Sequence, residues 1–171
     1  LTLAAVTLLP ARLLHWMSGD RKRLEDEAAI LFSSGSEGEP KGVVLSQRNI
    51  MGNIAQVTDV LDPTVQDRML ATLPLFHAFG LTITGLLPLI QGMPVISHAD
   101  PTDSLGIAKA VARHRATIYC ATATFLRFLV RNRRVEPLML DSLRLVVAGA
   151  ERLPAEIREA FKLKFNKDIH E

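Results

Sequence analysis

A loop rich in glycine and hydroxyl side chains is the segment of this sequence best suited to chemistry. It runs from Ser33 to Gly42, reads SSGSEGEPKG, and follows an apolar run, Ala28–Phe32, that predicts a buried strand. Glycines let backbone N–H groups converge, hydroxyls donate to phosphate oxygens, and Lys41 adds a positive charge. The order of strand, loop, lysine and helix therefore favours a phosphate-binding loop over an ordinary flexible one.

This loop does not match the two commonest nucleotide-binding patterns. A Walker loop needs a second glycine where Pro40 stands, and a Ser or Thr where Gly42 follows the lysine. The dinucleotide pattern G-x-G-x-x-G fails at Glu37, and there is no G-x-S-x-G nucleophile elbow. These failures count against a phosphotransferase, the rival enzyme class that would use the same loop for ATP.

Two further loops carry residues that could act on a substrate. One, Pro74–Gly80, places His77 among apolar residues, where a histidine is more often a core residue than a catalyst. The other, Gly149–Pro154, has small residues that would allow close approach of the backbone to a flat ring. Its alternative interpretation is a plain turn into a helix, whose N-terminus favours an acidic residue such as Glu151.

The elements around these loops predict the fold. Ser46 is a suitable N-cap for a helix with apolar residues at helical spacing from Ile50 to Leu61. Strand, loop and helix alternate without hairpin signals, which predicts an α/β fold with a mostly parallel sheet flanked by helices. Ligands bind at the carboxyl ends of such strands, where all three loops are predicted to lie. Further strands are predicted at Met69–Leu73, Pro94–Ser97, Thr117–Ala121 and Leu143–Ala148, and helices at Leu81–Ile90 (buried on all sides), Leu105–His114, Thr124–Val130 and Ala155–Phe165.

Composition excludes several classes of function. The 171 residues are 48% hydrophobic and carry a formal charge of +2, which is an ordinary globular composition and gives no sign of nucleic-acid binding. A single cysteine, Cys120, rules out an intramolecular disulfide and a cysteine-based zinc cage, and the histidines have no metal-ligand spacing. The apolar stretch Leu1–Leu9 is too short for a membrane span, because Pro10 interrupts it.

The three loops resemble motifs of one known group of enzymes. SSGSEGEPKGV closely resembles the signature of the acyl-adenylate-forming (AMP-binding) superfamily, and LPLFHAFG and AGAERLP resemble two later motifs. Members join a carboxylate to AMP from ATP, release pyrophosphate, and then pass the acyl group to a thiol. The resemblance therefore implies ATP with Mg²⁺ and an acid substrate. It also implies that residues 28–171 are part of the large N-terminal domain, with residues 1–27 as a preceding segment or domain edge.

The resemblance also implies a role for each motif. His77 would orient the carboxylate and steady charge during adenylation, and Phe79 would close the acyl pocket. Glu37 departs from the usual threonine, so its role near phosphates or Mg²⁺ stays open. The adenine base would be flanked by Gly149, Ala150 and Glu151. The β- and γ-phosphates of ATP would be held by Ser33, Ser34, Gly35, Ser36, Gly38 and Lys41.

Within the superfamily, the spellings SEG and AGAE resemble one branch, the bacterial bifunctional 2-acylglycerophosphoethanolamine acyltransferase/acyl-[acyl-carrier-protein] synthetases. That branch implies a fatty acid, acyl carrier protein as thiol acceptor, a lysophospholipid as final acceptor, and the cytoplasmic face of the bacterial inner membrane. A long-chain fatty-acid–CoA ligase, with coenzyme A as acceptor, is the close alternative. A nucleotide- or lipid-binding module without catalysis is the third. The superfamily's later motifs are absent, so we expect the isolated chain to be soluble but inactive.

Overall fold

The computed structural model of this chain describes residues 23–34 and 39–171. A two-stranded sheet, a five-stranded sheet and five α-helices make up most of this part. In chain order the elements are β1 (Glu27–Ser34), β2 (Pro40–Ser46), α1 (Gln47–Leu61), β3 (Met69–Ala71), a π-helical segment (Gly80–Leu86) that continues into α2 (Leu87–Gln91), β4 (Val95–Ser97), α3 (Ser104–His114), β5 (Ile118–Ala121), α4 (Ala123–Arg131), a 3₁₀ turn (Pro137–Leu140), β6 (Leu145–Ala148), α5 (Ala155–Phe165) and β7 (Ile169–His170).

The centre of the fold is a five-stranded sheet in the order β4-β3-β5-β6-β7, and every neighbouring pair in it is parallel. Its side chains alternate between two apolar layers, as the pleat requires. Tyr119 and Val146 pack with helices α3, α4 and α5 on one face, whereas Ile118 and Cys120 pack with α1 and the π-helical segment on the other. This arrangement confirms the predicted α/β fold with a parallel sheet flanked by helices.

Local capping signals explain where several helices begin and end. Ser46 accepts a hydrogen bond from the backbone N–H of Asn49 (3.2 Å), and the Asn49 side chain accepts one from the Ser46 N–H (3.0 Å). This reciprocal pair satisfies backbone donors at the start of α1, as predicted for Ser46. Helix α5 follows Pro154 and ends where Asn166 adopts a left-handed conformation, which confirms the predicted bounds Ala155–Phe165.

The first two strands depart from the sequence prediction. β1 and β2 pair antiparallel with each other and form a separate two-stranded sheet. The sequence predicted no antiparallel pair of consecutive strands, and this prediction was wrong. The strand expected at Ala28–Phe32 is present but not buried, since 53% of Ile30 and 74% of Phe32 are exposed. A short, continuous apolar run has no periodicity that distinguishes an exposed antiparallel strand from a strand of a buried parallel sheet, which explains the error.

The helix predicted as buried on all sides, Leu81–Ile90, is also different in detail. It begins as the wider π-helical segment and becomes α-helical only at Leu87, with Leu89 and Ile90 exposed. Because the segment is apolar all round, its sequence has no stripe to mark the buried face. At its start, a Cβ on Gly80 would lie 2.1 Å from the Pro74 carbonyl oxygen, so only glycine fits there.

A charged network joins the amino ends of the strands, at the sheet edge opposite the His77 loop and the Gly149 turn. The buried Asp67 carboxylate accepts bonds from Arg144 Nε (2.8 Å) and Nη2 (2.6 Å), and from the hydroxyl of Thr117 (2.6 Å). It also accepts bonds from the backbone N–H and the hydroxyl of Thr64. One carboxylate therefore joins the loop before β3 to the residues that precede β5 and β6.

Two predictions about single features can be placed in this fold. Cys120 lies buried in β5, and burial raises the pKa of its thiol to about 12, so it acts as a small apolar side chain rather than a nucleophile. Within the described part of the chain, no helix has the length and apolar character needed to cross a membrane.

Candidate active site

A cavity of about 250 Å³ opens at the carboxyl ends of β3, β5 and β6. Residues of two candidate loops line it, including His77 and Phe79 from one and Ala150 and Glu151 from the other. Thr122, the residue after β5, lines it as well. The structure thus brings two of the three predicted loops together at the sheet edge where parallel α/β folds bind ligands.

The backbone around His77 holds the imidazole ring in a defined state. The His77 N–H donates to the Pro74 carbonyl (3.2 Å), and the His77 carbonyl accepts from the Leu81 N–H (2.9 Å). The ring atom Nδ1 accepts a bond from the Phe79 N–H (3.3 Å), so the proton of the neutral ring is on Nε2. The exposed His77 can therefore donate from Nε2 to a ligand oxygen.

The His77 side chain is not paired with an acidic residue in the described part of the chain. Among residues 23–34 and 39–171, no carboxylate lies within ion-pair distance of its ring. A histidine that acts as a general base for a nucleophile is usually oriented by such a group. The geometry therefore suits a neutral hydrogen-bond donor better than a base.

The ring of Phe79 packs against the backbone of Gly149. A Cβ on Gly149 would lie 2.6 Å from the Phe79 Cζ atom, which is closer than any van der Waals contact allows. Phe79 also lines a second, apolar cavity of about 340 Å³ on the α1 side of the sheet, together with Ile83 and Val147. Phe79 therefore lies between a cavity that contains polar groups and one that is almost entirely apolar.

Glu151 lies where a local sequence motif could not have placed it. Its Oε2 atom accepts bonds from the backbone N–H of Thr124 (3.0 Å) and from the Thr124 hydroxyl (2.8 Å), at the start of α4. The preceding residue, Ala150, has a left-handed backbone (φ 63°), a conformation that costs a non-glycine residue free energy. The Glu151–Thr124 contact thus holds a strained turn against the neighbouring loop. No sequence signal indicated Thr124, which is 27 residues away.

The residues at the two ends of the predicted phosphate-binding loop lie in a different setting from the one expected. Ser33 and Lys41 are opposite each other in the β1–β2 register, and Ser34 is opposite Pro40, so both ends of the loop lie in paired antiparallel strands. The expectation that it joins a strand of the parallel sheet directly to a helix is wrong, because Lys41 lies in β2. Neither Ser33 nor Lys41 lines the 250 Å³ cavity. The other predicted phosphate-loop residues, Gly35, Ser36, Glu37 and Gly38, lie outside the described residues.

Replacing Gly149 by alanine should lower the free energy of unfolding by about 1–2 kcal/mol, because the added Cβ must displace the Phe79 ring. The matched control is Gly52→Ala in α1, where a Cβ meets nothing within 4 Å and helix propensity favours alanine. Denaturant unfolding measures both variants. If Gly149→Ala proves as stable as Gly52→Ala, the ring contact does not constrain this turn. In the double variant Gly149→Ala with Phe79→Leu, the smaller leucine should leave room for the added Cβ and recover part of the lost stability.

Several known proteins are similar over most of this chain. The 4-coumarate–CoA ligase 2 of Oryza sativa subsp. japonica is 33% identical over 149 residues, which are 85% of this chain and 26% of that protein. A long-chain-fatty-acid–CoA ligase of Yersinia pestis is 28% identical over 149 residues, with the same coverage of both chains. The structure of O-succinylbenzoate coenzyme A synthetase from Bacillus subtilis, in complex with AMP, has a TM-score of 0.73 at 29% identity, over 84% of this chain and 29% of that one.

The chain spans about a quarter of the length of the curated relatives it matches. The family described as AMP-binding enzyme matches residues 11–171, which include all three candidate loops. This match agrees with the position of the His77 loop and the Gly149 turn at one end of a parallel sheet, and with the folds of the solved coenzyme A synthetases. The chain belongs to the AMP-binding enzyme family.

Proposed function

We propose that the full-length protein activates a fatty acid by adenylation and then transfers the acyl group to a thiol. The observation that carries this proposal is the pair of cavities separated by Phe79. One contains His77 and the Ala150–Glu151 turn, and the other is a larger apolar space. A carboxylate needs hydrogen-bond donors where it reacts, whereas its alkyl chain needs an apolar wall beside that point. The two adjoining cavities meet both needs.

The chemistry consists of two substitutions. In the first, a carboxylate oxygen of the acid attacks the α-phosphorus of ATP, an acyl–O–P bond forms, and the bond to the leaving pyrophosphate breaks. In the second, a thiol sulfur attacks the acyl carbon and AMP leaves with the electron pair of the broken C–O bond. His77 serves the first step, since its Nε2–H is free to orient the carboxylate and to stabilise charge as the bond forms.

The described residues fit parts of ATP but supply no metal cage. Lys41 and Ser33, which are opposite each other in the β1–β2 register, supply a cation and a hydroxyl for phosphate oxygens. Among residues 23–34 and 39–171, no group of three His, Cys, Asp or Glu side chains could hold a metal ion. We therefore assign no protein ligands here to the Mg²⁺ that accompanies ATP.

The apolar cavity favours an alkyl chain as the acid's tail. Its walls are mostly apolar and include Val57, Ile83 and Val147, although the amide side chains of Asn53 and Gln56 also line it. The long-chain-fatty-acid–CoA ligase of Yersinia pestis is similar over 85% of this chain, which supports this acid class. Coenzyme A is the acceptor that the relatives' names support, so a long-chain fatty-acid–CoA ligase is the second candidate function.

A basic surface favours the carrier-protein branch. Arg131, Arg133 and Arg134 are exposed at the end of α4 and just beyond it, with the half-buried Arg127 one turn earlier. Such a cluster can attract an acidic carrier protein or an anionic membrane surface. We accordingly place acyl carrier protein first as thiol acceptor, with a lysophospholipid as final acceptor at the cytoplasmic face of a bacterial inner membrane.

Product analysis tests this proposal. Full-length protein is incubated with ATP, Mg²⁺ and palmitate, with either acyl carrier protein or coenzyme A, and the thioester is identified by mass spectrometry. Palmitoyl-carrier protein is the expected product, and palmitoyl-CoA alone would favour the second candidate. Formation of a thioester from 4-coumarate but not from palmitate would contradict a fatty-acid substrate. Nucleotide or lipid binding with no thioester would indicate a module without catalysis.

Replacing Lys41 by alanine in the full-length protein should raise the KM for ATP and lower kcat/KM. The corresponding loss of transition-state stabilisation should be about 1.5–3 kcal/mol, the scale of a charged hydrogen bond. The reason is its exposed ammonium group beside Ser33 on the hairpin. Lys41→Arg should recover part of the loss, and Lys109→Ala, on the exposed side of α3, is the charge-matched control. Initial rates at varied ATP measure the effect, and unchanged ATP kinetics would remove Lys41 from the phosphate site.

A further inference from the structure

A cavity lined by three arginines lies at the opposite edge of the parallel sheet from the candidate active site. It measures about 510 Å³ and opens at the amino ends of β3, β5 and β6. Its arginines come from three separate segments: Arg68 immediately before β3, Arg115 immediately after α3, and Arg144 immediately before β6. Among the described residues, none that we assign to adenylation lines this cavity. The cavity is therefore a separate feature that the proposed reaction does not explain.

Hydrogen bonds hold two of the guanidinium groups in place and leave donors free on both. Arg68 Nη1 donates to the His114 carbonyl (2.9 Å), which connects the start of β3 to the end of α3. Arg144 donates from Nε and Nη2, and its Nη1 makes no hydrogen bond within the described part of the chain. Each guanidinium has five N–H donors, so both can bind a further acceptor. Groups that are already held in place lose less entropy when a ligand binds.

The Asp67 carboxylate also lines the cavity, but its charge is compensated within the fold. Asp67 is 2% exposed, and its two oxygens accept the five hydrogen bonds of the network described above. Two of these bonds come from Arg144, which places the opposite charge in direct contact with the carboxylate. No other acidic side chain of the described residues lines this cavity. An anion that enters it therefore meets no exposed carboxylate among them.

Arg68 and Arg115 give the cavity an uncompensated positive charge. Both residues are exposed, and in the part of the chain that the structure describes neither forms an ion pair with a carboxylate. The hydrogen bonds to Asp67 raise the pKa of Arg144, and the charge of Asp62 adds to this, but Asp62 does not line the cavity. Guanidinium groups match phosphate oxygens in geometry, and two free charges match a dianionic phosphate better than a single carboxylate. The cavity volume lies in the usual range of small-molecule sites.

We propose that this cavity binds a phosphate-bearing anion, with Arg68 and Arg115 as the charged donors and Arg144 as a third donor. Free inorganic phosphate and the phosphate group of an organic molecule offer the same chemistry. Because the three arginines come from segments that meet only in the folded chain, the anion binds the native state and stabilises it. This inference goes beyond the proposed function, since it involves none of the groups assigned to adenylation.

Isothermal titration calorimetry of the full-length protein with inorganic phosphate and with glycerol 3-phosphate tests the proposal. Arg115→Gln and Arg68→Gln should each weaken binding of the preferred anion about tenfold or more, because each variant loses a charged hydrogen bond. Arg113→Gln is the charge-matched control, since Arg113 is exposed on α3 and does not line the cavity, and it should bind like wild type. Tighter binding of glycerol 3-phosphate would identify an organic phosphate as the ligand, and the reverse order would identify the inorganic ion.

Thermal unfolding gives a second readout that needs no catalysis, so its outcome is independent of the proposed function. The preferred anion should raise the unfolding midpoint of wild type and of Arg113→Gln, but not that of Arg115→Gln. Lys41→Ala should change neither readout, because Lys41 lies in β2 and does not line the cavity. The proposal is overturned if wild type binds neither anion, or if Arg113→Gln weakens binding as much as Arg115→Gln does. Loss of binding in Lys41→Ala alone would place the anion at the candidate active site and overturn it as well.

Discussion

Replacement of His77 by alanine should slow acyl-adenylate formation tens- to hundredfold, about 2–3 kcal/mol of transition-state stabilisation. The Nδ1 atom accepts a bond from the Phe79 N–H, so a neutral ring of this cavity-lining residue has its Nε2–H free to donate. Alanine removes that donor but leaves the backbone bonds of the Pro74–Gly80 loop, which do not depend on the side chain. Single-turnover formation of acyl-AMP by the full-length protein measures the effect.

Two comparisons make the His77 result specific. Thiol transfer from preformed acyl-adenylate should be far less affected, because the proposed role belongs to the first step. His114→Ala, an exposed histidine at the end of α3, should leave both steps at wild-type rates. A collapse of transfer with normal adenylation would show that the assigned step is wrong. If neither step changes, His77 is a structural residue of its loop.

Asp67→Ala should destabilise the fold by about 3 kcal/mol, since it removes one partner of a buried ion pair. The substitution leaves without an acceptor the donors of Arg144, Thr117 and Thr64 that the carboxylate satisfies in the wild-type protein. The Arg144 side chain is 40% exposed and can regain water, which keeps the cost near the lower end for such pairs. Denaturant unfolding measures it, with Asp59→Ala on the exposed side of α1 as control. Equal midpoints for the two variants would contradict the network's role.

The same network predicts how stability depends on pH. Burial alone would raise the pKa of Asp67, but hydrogen bonds from Arg144, Thr117 and Thr64 outweigh it and hold the pKa far below its usual value of 3.8. The folded state therefore favours the charged carboxylate, which stabilises the fold fully at neutral pH. This stabilisation is lost as the pH falls below about 4, where the unfolded chain takes up a proton first. Asp67→Asn should flatten that part of the profile.

Much of the parallel sheet could be predicted because its signals are local. The strand at Thr117–Ala121 and the helix at Ala155–Phe165 each combine apolar residues at the right period with a clear start or end. The antiparallel pairing of β1 with β2 could not be predicted. Nothing in the sequence of Ala28–Phe32 or of the loop after it specifies whether an antiparallel strand or a helix follows. Pairing partners depend on where distant apolar surface is buried, and a local pattern does not contain that information.

The candidate site also has features that the sequence predicts and features that only the fold reveals. The sequence predicted that the His77 loop and the Gly149 turn lie at one sheet edge, and they line one cavity. The contact of Phe79 with Gly149 and the bond from Thr124 to Glu151 join segments 70 and 27 residues apart, so only the fold reveals them.

Acid-dependent exchange of labelled pyrophosphate into ATP tests most directly whether the full-length protein adenylates a fatty acid. The exchange requires that the acid attack ATP reversibly, and it needs no thiol, carrier protein or lipid. The full-length protein should incorporate label only when palmitate is present, and His77→Ala should reduce the rate tens- to hundredfold. Exchange that is absent with palmitate, or equally fast without any acid, would contradict the account.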